Sequence, residues 1–332
     1  VSDKGNSGHS DQRRLIGVLR VAFGLIWIVN IWFSVHGAYL HHFLAEFRSA
    51  AQGSPGWLQG WLGLAVTAVE GIGAHNAVLI SVAAEVVIAL TLLTGWWGRT
   101  GAWLGLLYCL FMWSTAGAFG GALAIGYTDP GPWPPYIVAF VVILELRAWE
   151  EVRTPGGPSS RPAGTSDLTK PPMIGQLLFG LLWAFEAYWK WQPYFLTHFT
   201  SYLLPAAAGQ PAWIAGYIHD IIGFVKAVGP EMIGVITAVV ETLIAVTLLT
   251  GRGLRYGLAL GGVWSLAIWT TAEGWGGPYG PGFSSTAMSG DIFGNAINYA
   301  YVFALLGAAL VATRSASEPV APVKAELASS SE

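Results

Sequence analysis

The sequence predicts an all-α membrane protein of about eight transmembrane helices, arranged as two parallel four-helix repeats with short interfacial helices on the outer face. Three observations carry this expectation. Hydrophobic residues make up 54% of the chain and charged residues 11%, against roughly 25% charged in ordinary soluble domains. Apolar stretches recur that approach the roughly 20 residues a helix needs to cross a bilayer. Finally, the chain aligns with itself when shifted by 156 residues, Phe23–Gly121 falling on Phe179–Gly277 without a gap, and 34 of those 99 positions are identical.

Taken in chain order, residues 1–13 are a polar N-terminal segment. The first four-helix unit occupies 14–150, with spans over about 14–36, 75–95, 99–120 and 134–149, the last one short and opening on Pro134-Pro135. Residues 151–172 are rich in Pro, Gly, Ser and Thr and read as a flexible linker. The second unit occupies 173–314, with spans over about 173–192, 231–251, 255–273 and 292–313. Residues 315–332 form a polar tail expected to be disordered. Between the first and second spans of each unit lie residues 37–74 and 193–230, too apolar for a free loop and too broken for a crossing. Residues 39–51 and 56–72 read as short helices on the outer interface, anchored by Trp57 and Trp61 and matched by Trp213 and Tyr217. A re-entrant hairpin is the alternative for these roof segments.

Charge and cysteine content exclude several classes. The net charge is −3, so there is no basic footprint for nucleic acid. The single cysteine, Cys109, sits in an apolar stretch and rules out an internal disulfide or a thiolate-held iron–sulfur cluster within the chain. The first twelve residues are polar and the next stretch reads as a full span, so no cleavable signal peptide is expected. With the N-terminus in the cytoplasm, Lys4, Arg13, Arg14, Arg99, Arg147, Arg153, Arg161, Lys170, Arg252, Arg255, Arg314 and Lys324 all fall inside, and only Arg48, Lys190 and Lys226 outside. The positive-inside rule therefore predicts a multi-pass protein of the inner cell membrane with both termini cytoplasmic. An even number of spans per unit makes the repeats parallel, related by an axis along the membrane normal.

Glu85 and Glu241 are the sharpest candidates for chemistry. Each falls near the middle of its span, and the 156-residue shift superposes them. A carboxyl inside a membrane is costly and faces a bundle interior, a cavity or a partner, where it can relay protons or bond a polar ligand; a structural hydrogen bond between helices is the competing reading. The second acidic position breaks the symmetry: Glu186 matches Asn30, and Glu273 matches Gly117, which makes the second half the richer candidate for a pocket. Trp27, Trp113, Trp183 and Trp269 are candidate pocket walls. Arg20 is expected to pair with Glu145 by depth. On the outer face, Asp129 and Asp291 open the last span of each unit and suit N-terminal caps, with a substrate-facing role as the alternative. His42 and His198 superpose as candidate metal ligands, yet no pair of histidines stands at helical spacing within one span, which argues against haem or copper.

Several of these features resemble the DoxX/DoxD superfamily of four-helix membrane proteins. The points of likeness are the first span Phe179-Gly180-Leu181-Leu182-Trp183 with Lys190 beyond it, a long roof segment, and a glutamate-bearing second span. They continue in a third span ending Trp-Ser/Thr-Thr, and in the turn Thr128-Asp129-Pro130-Gly131 before a Tyr-containing fourth span. Both halves take part, as in a tandem fusion of two units; Ser289-Gly290-Asp291 and Ser34 depart from the pattern in one half each. The resemblance implies the small membrane subunit of a thiosulfate:quinone oxidoreductase type of enzyme, working beside a partner subunit of a redox complex, with a quinone as cofactor and a sulfur compound as donor. An anchoring subunit of a larger membrane complex is the alternative, and a proton-coupled transporter a further one.

Overall fold

The computed structural model describes residues 4–36, 39–121, 128, 130–150, 171–276 and 294–317. Among these the chain is all-helical. The first half contains α1 (Lys4–His36), α2 (Tyr39–Gly53), α3 (Gly56–Ile72), α4 (Ala74–Thr94), α5 (Gly98–Ser114) and α6 (Trp133–Leu146). The second half contains α7 (Met173–Lys190), α8 (Pro193–Thr197), α9 (Phe199–Leu203), α10 (Ala212–Val228), α11 (Pro230–Thr250), α12 (Leu254–Thr271) and α13 (Ala296–Ser317). Helix α1 starts well before the apolar stretch, taking in most of the segment read as a polar N-terminus. Asp129, Asp291, the linker 151–170 and the tail beyond Ser317 lie outside the described residues.

The helix ends follow from local chemistry. Pro55 and Pro211 precede α3 and α10 with φ of −59° and −53°; proline fixes this φ and has no N–H to continue a helix backwards. Gly95 and Gly251 close α4 and α11 in the left-handed region, at φ 71° and 67°. Each returns its N–H to the carbonyl of Thr91 or Thr247 at 2.9 Å, the single-bond C-cap that glycine permits without a Cβ clash. The starts of α3, α4 and α5 recur 156 residues later in α10, α11 and α12. The roof of the second half departs from that of the first. Where α2 is one helix, the second half has α8, α9 and a 3₁₀ turn over Leu204–Ala207. Pro205 stands where α2 carries Ser49, and a proline inside a continuous helix would lose a hydrogen bond and clash with the turn before it.

Two bundles result. Helix α1 packs on α4, α4 on α5 and α5 on α6; likewise α7 packs on α11, α11 on α12 and α12 on α13. The bundles meet where α1 touches α13, α7 touches α6, and α6 touches α13. At the heart of the first, Phe23 lies 5.0 Å from Phe140 and Trp27 5.9 Å from Tyr136, centroid to centroid. In the second, Phe179 lies 4.7 Å from Phe303 and Trp183 5.5 Å from Tyr299. Glycines let the third helix of each bundle press against the fourth: a Cβ at Gly105 would enter the Phe140 ring, and one at Gly261 the Phe303 ring. Glu145, expected to pair with Arg20, accepts the N–H groups of Ile174 and Gly175 at 2.9 and 2.8 Å. It thereby caps the free N-terminus of α7 from the end of α6, a favourable place for a carboxylate.

Three stretches, Arg13–Val35, Ala74–Thr94 and Pro230–Thr250, are long and apolar enough to cross a membrane. Trp133–Leu146 and Ala296–Val311 are apolar but shorter. Helix α5 has 17 residues, α7 and α12 have 18 each, and α7 also carries Gln176, Glu186 and Lys190. Large apolar side chains face outward along the long helices, among them Leu25, Ile28 and Trp32 on α1, Leu79 and Val87 on α4, and Leu243 and Val246 on α11. Such faces are compatible with a lipid bilayer, whose hydrocarbon core accepts apolar helix surface.

Candidate functional site

The two glutamates superposed by the 156-residue shift have different surroundings. Glu85 on α4 is 1% exposed. Tyr108 on α5 donates its hydroxyl to one carboxylate oxygen at 2.6 Å, and Ser34 on α1 donates to the other at 3.1 Å. The Tyr108 oxygen also lies 2.7 Å from Ser81 Oγ. With the phenolic proton committed to Glu85, Ser81 is the donor in that contact. Trp27 and Trp133 flank the Tyr108 ring at 5.8 and 6.1 Å. The result is a closed chain of hydrogen bonds joining α1, α4 and α5, of the kind buried polar groups require.

Glu241 on α11 is fully buried, and its neighbours are of another kind. Lys190 stands where the first half has Ser34, and its Nζ lies 3.9 Å from a Glu241 oxygen. The same ammonium donates to the backbone carbonyl of Thr128 at 2.8 Å and sits 5.3 Å from the Phe195 ring centroid. One turn back on α7, Glu186 accepts a hydrogen bond from the hydroxyl of Tyr299 on α13. Residues four apart on a helix share a face, so Glu186 and Lys190 look the same way.

That way is into a cavity of about 400 Å³. Its walls are Trp183, Phe195, Phe199, Tyr202, Phe224 and Trp264, and Glu186, Lys190, Thr237, Glu241, Ser265 and Tyr299 supply the polar groups. Three potential donors on lining residues, Trp183 Nε1, Trp264 Nε1 and Ser265 Oγ, are buried without a hydrogen-bond partner among the described residues. Leaving such groups unmatched costs free energy. A mainly apolar cavity with a few converging polar groups is the usual form of a small-molecule site.

The other sequence candidates sort around this centre. Trp183 and Glu186 line the cavity as expected. Glu273 reaches its rim, but its carboxylate accepts the N–H groups of Asn295 and Ala296 at 2.9 to 3.1 Å. That makes it the N-terminal cap of α13, the task the sequence assigned to Asp291. Trp27 belongs to the aromatic core of the first bundle. Trp113 donates to the carbonyl of Pro130 at 3.0 Å, and Trp269 packs on Trp275 at 5.2 Å; neither lines the cavity. His42 and His198 are exposed, and His198 stacks on Tyr194 at 4.3 Å. Among the described residues no three of His, Cys, Asp and Glu gather in a way that could hold a metal ion. Sequence reasoning missed the part played by Lys190 and Trp264; the signal was present in their replacement of Ser34 and Tyr108 at aligned positions.

Among the described residues, fold and site together define an all-helical protein with three helices long and apolar enough to cross a membrane and a ligand-sized cavity in its second bundle. No family model, curated protein or solved structure matches the chain.

Proposed function

We propose that the chain is an integral membrane subunit of a quinone-linked oxidoreductase, DoxD-like, whose quinone is held in the cavity of the second bundle. In this reading all eight apolar stretches cross the bilayer as two parallel four-helix repeats, and α2, α3 and α8–α10 roof the outer side. The observation that carries it is the pairing of aromatic walls with the converging groups of Lys190, Glu241, Glu186 and Tyr299.

The residues suit such a ligand. Trp183, Trp264, Ser265 and Lys190 offer hydrogen-bond donors, and the two ring oxygens of a quinone are acceptors. The aromatic and aliphatic walls match the apolar remainder. When bound, the quinone supplies acceptance of electrons together with protons. Glu241 takes up or releases a proton at the cavity surface, Lys190 balances its charge, and Glu186 with Tyr299 offers a second exchangeable proton nearby. Electrons come from a partner subunit or an outer-face donor such as a sulfur anion.

The test is gentle purification of the complex from membranes, followed by solvent extraction of bound quinone and identification of accompanying subunits. We expect quinone from the wild-type complex and its loss from Glu241→Gln and Lys190→Met, with the partner subunits retained. A stable complex that yields no quinone and ignores both substitutions overturns this reading in favour of an anchoring subunit. Proton-coupled uptake by the isolated chain in liposomes would instead make it a transporter.

A further inference from the structure

We infer that, of the two aligned places around Glu85 and Glu241, only the one in the second bundle is a ligand site among the described residues, and that its counterpart in the first bundle is closed by its own side chains. The inference rests on the quinone reading only for the class of the ligand; the asymmetry stands on geometry.

Two independent observations carry it. The first is the exchange of residues around the shared glutamate. In the first bundle Tyr108, Ser34 and Ser81 form a closed hydrogen-bonded set on Glu85. At the aligned places the second bundle has Trp264, Lys190 and Thr237, all of which line the cavity. Thr237 turns its hydroxyl back to the carbonyl of Ile233 at 3.0 Å, and the Trp264 N–H has no partner among the described residues. Tyr108 thus joins and closes the hydrogen-bonded set where Trp264 leaves a donor unmatched.

The second observation is the continuity of the core. In the first half the roof residues Phe43, Phe47, Ala65 and Val69 belong to the same packed cluster as the bundle core. In the second half the roof residues Leu203, Ile214, Ile218, Ile222 and Val225 form a cluster of their own, while Phe179, Trp183 and Leu248 beneath them belong to the main one. The cavity has Leu203 and Val225 on one side and Trp183 on the other. It is therefore the gap between roof and bundle, a gap that Phe43 and Phe47 fill in the first half. At the aligned places of the second half, Phe199 and Leu203 line the cavity instead.

Aligned apolar positions give the experiment. Ile268 lines the cavity, and Met112, at the aligned place, is buried in the first bundle. Each is replaced by cysteine in the full chain, with Cys109→Ser removing the native thiol, and labelled with N-ethylmaleimide with and without duroquinone, a quinone probe whose fully substituted ring offers no open position to a thiol. We expect Ile268→Cys to react about tenfold faster or more than Met112→Cys, since reagent access governs thiol labelling. Duroquinone should slow the former alone. The native Cys109, fully buried, should stay unlabelled in the unaltered chain. Thr237→Cys and Ser81→Cys form a second aligned pair should either first variant fail to fold. Comparable rates within a folded pair, or duroquinone protection on both sides, overturn the inference. Unequal labelling with no effect of duroquinone upholds the single cavity and overturns the quinone reading alone.

Discussion

Tyr108 is the residue on which the closure of the first bundle turns, because its hydroxyl satisfies Glu85 and in turn receives Ser81. Tyr108→Phe keeps the ring but leaves a buried carboxyl oxygen short of a donor. Losing one partner of a buried hydrogen bond costs about 1–3 kcal/mol, so the unfolding midpoint in detergent should fall accordingly. A midpoint equal to wild type would show that the contact holds nothing. Lys190 illustrates how a site can be half legible in a sequence. Its alignment with Ser34 reads only as a departure between the halves, whereas Glu186 opposite Asn30 and Glu273 opposite Gly117 mark the second half, on sequence alone, as the richer one. That Lys190 reaches the carbonyl of Thr128, in the other half of the chain, depends on how the bundles meet, which no local pattern encodes. Glu273 shows the converse. As a lone acid near a span's end it reads as a pocket residue or as a side chain reaching to the interface, and its contacts with Asn295 and Ala296 make it a cap instead.

At the level of elements, helix starts are readable wherever proline punctuates the chain, and helix ends wherever glycine does. Helices α3, α4 and α11 therefore begin and end within a residue of expectation. In the second roof Pro205 marks where a long helix must stop, whereas the break between α8 and α9 at His198 carries no such punctuation. The seam between α12 and α13 offers a test of element packing. A methyl at Gly261 would enter the Phe303 ring, and overpacking a well-filled interface costs about 1–3 kcal/mol. Gly261→Ala should lower the thermal midpoint, whereas Gly60→Ala, in the middle of α3 with open space around it, should raise stability by about 0.5–1 kcal/mol. Equal effects at both positions would remove close helix approach as the reason for the glycine.

For the whole molecule, the proposed eight crossings place both termini on the cytoplasmic side. Green fluorescent protein fused to the C-terminus of the full chain should fluoresce in cells, and alkaline phosphatase fused there should be inactive. The opposite pattern would put the C-terminus outside and overturn the proposed topology. The 156-residue self-similarity and the extra acids of the second half are visible in the sequence, but the closure of one bundle and the cavity in the other are not, since they depend on which groups the side chains meet across helices. One link between the bundles has a wider consequence. The ammonium of Lys190 is tethered to the backbone at Thr128, between α5 and α6 of the other bundle. A ligand of the proposed kind that draws this ammonium toward itself must loosen the tether. In that reading, filling the cavity of one bundle and freeing a backbone carbonyl of the other are a single event, carried by one side chain.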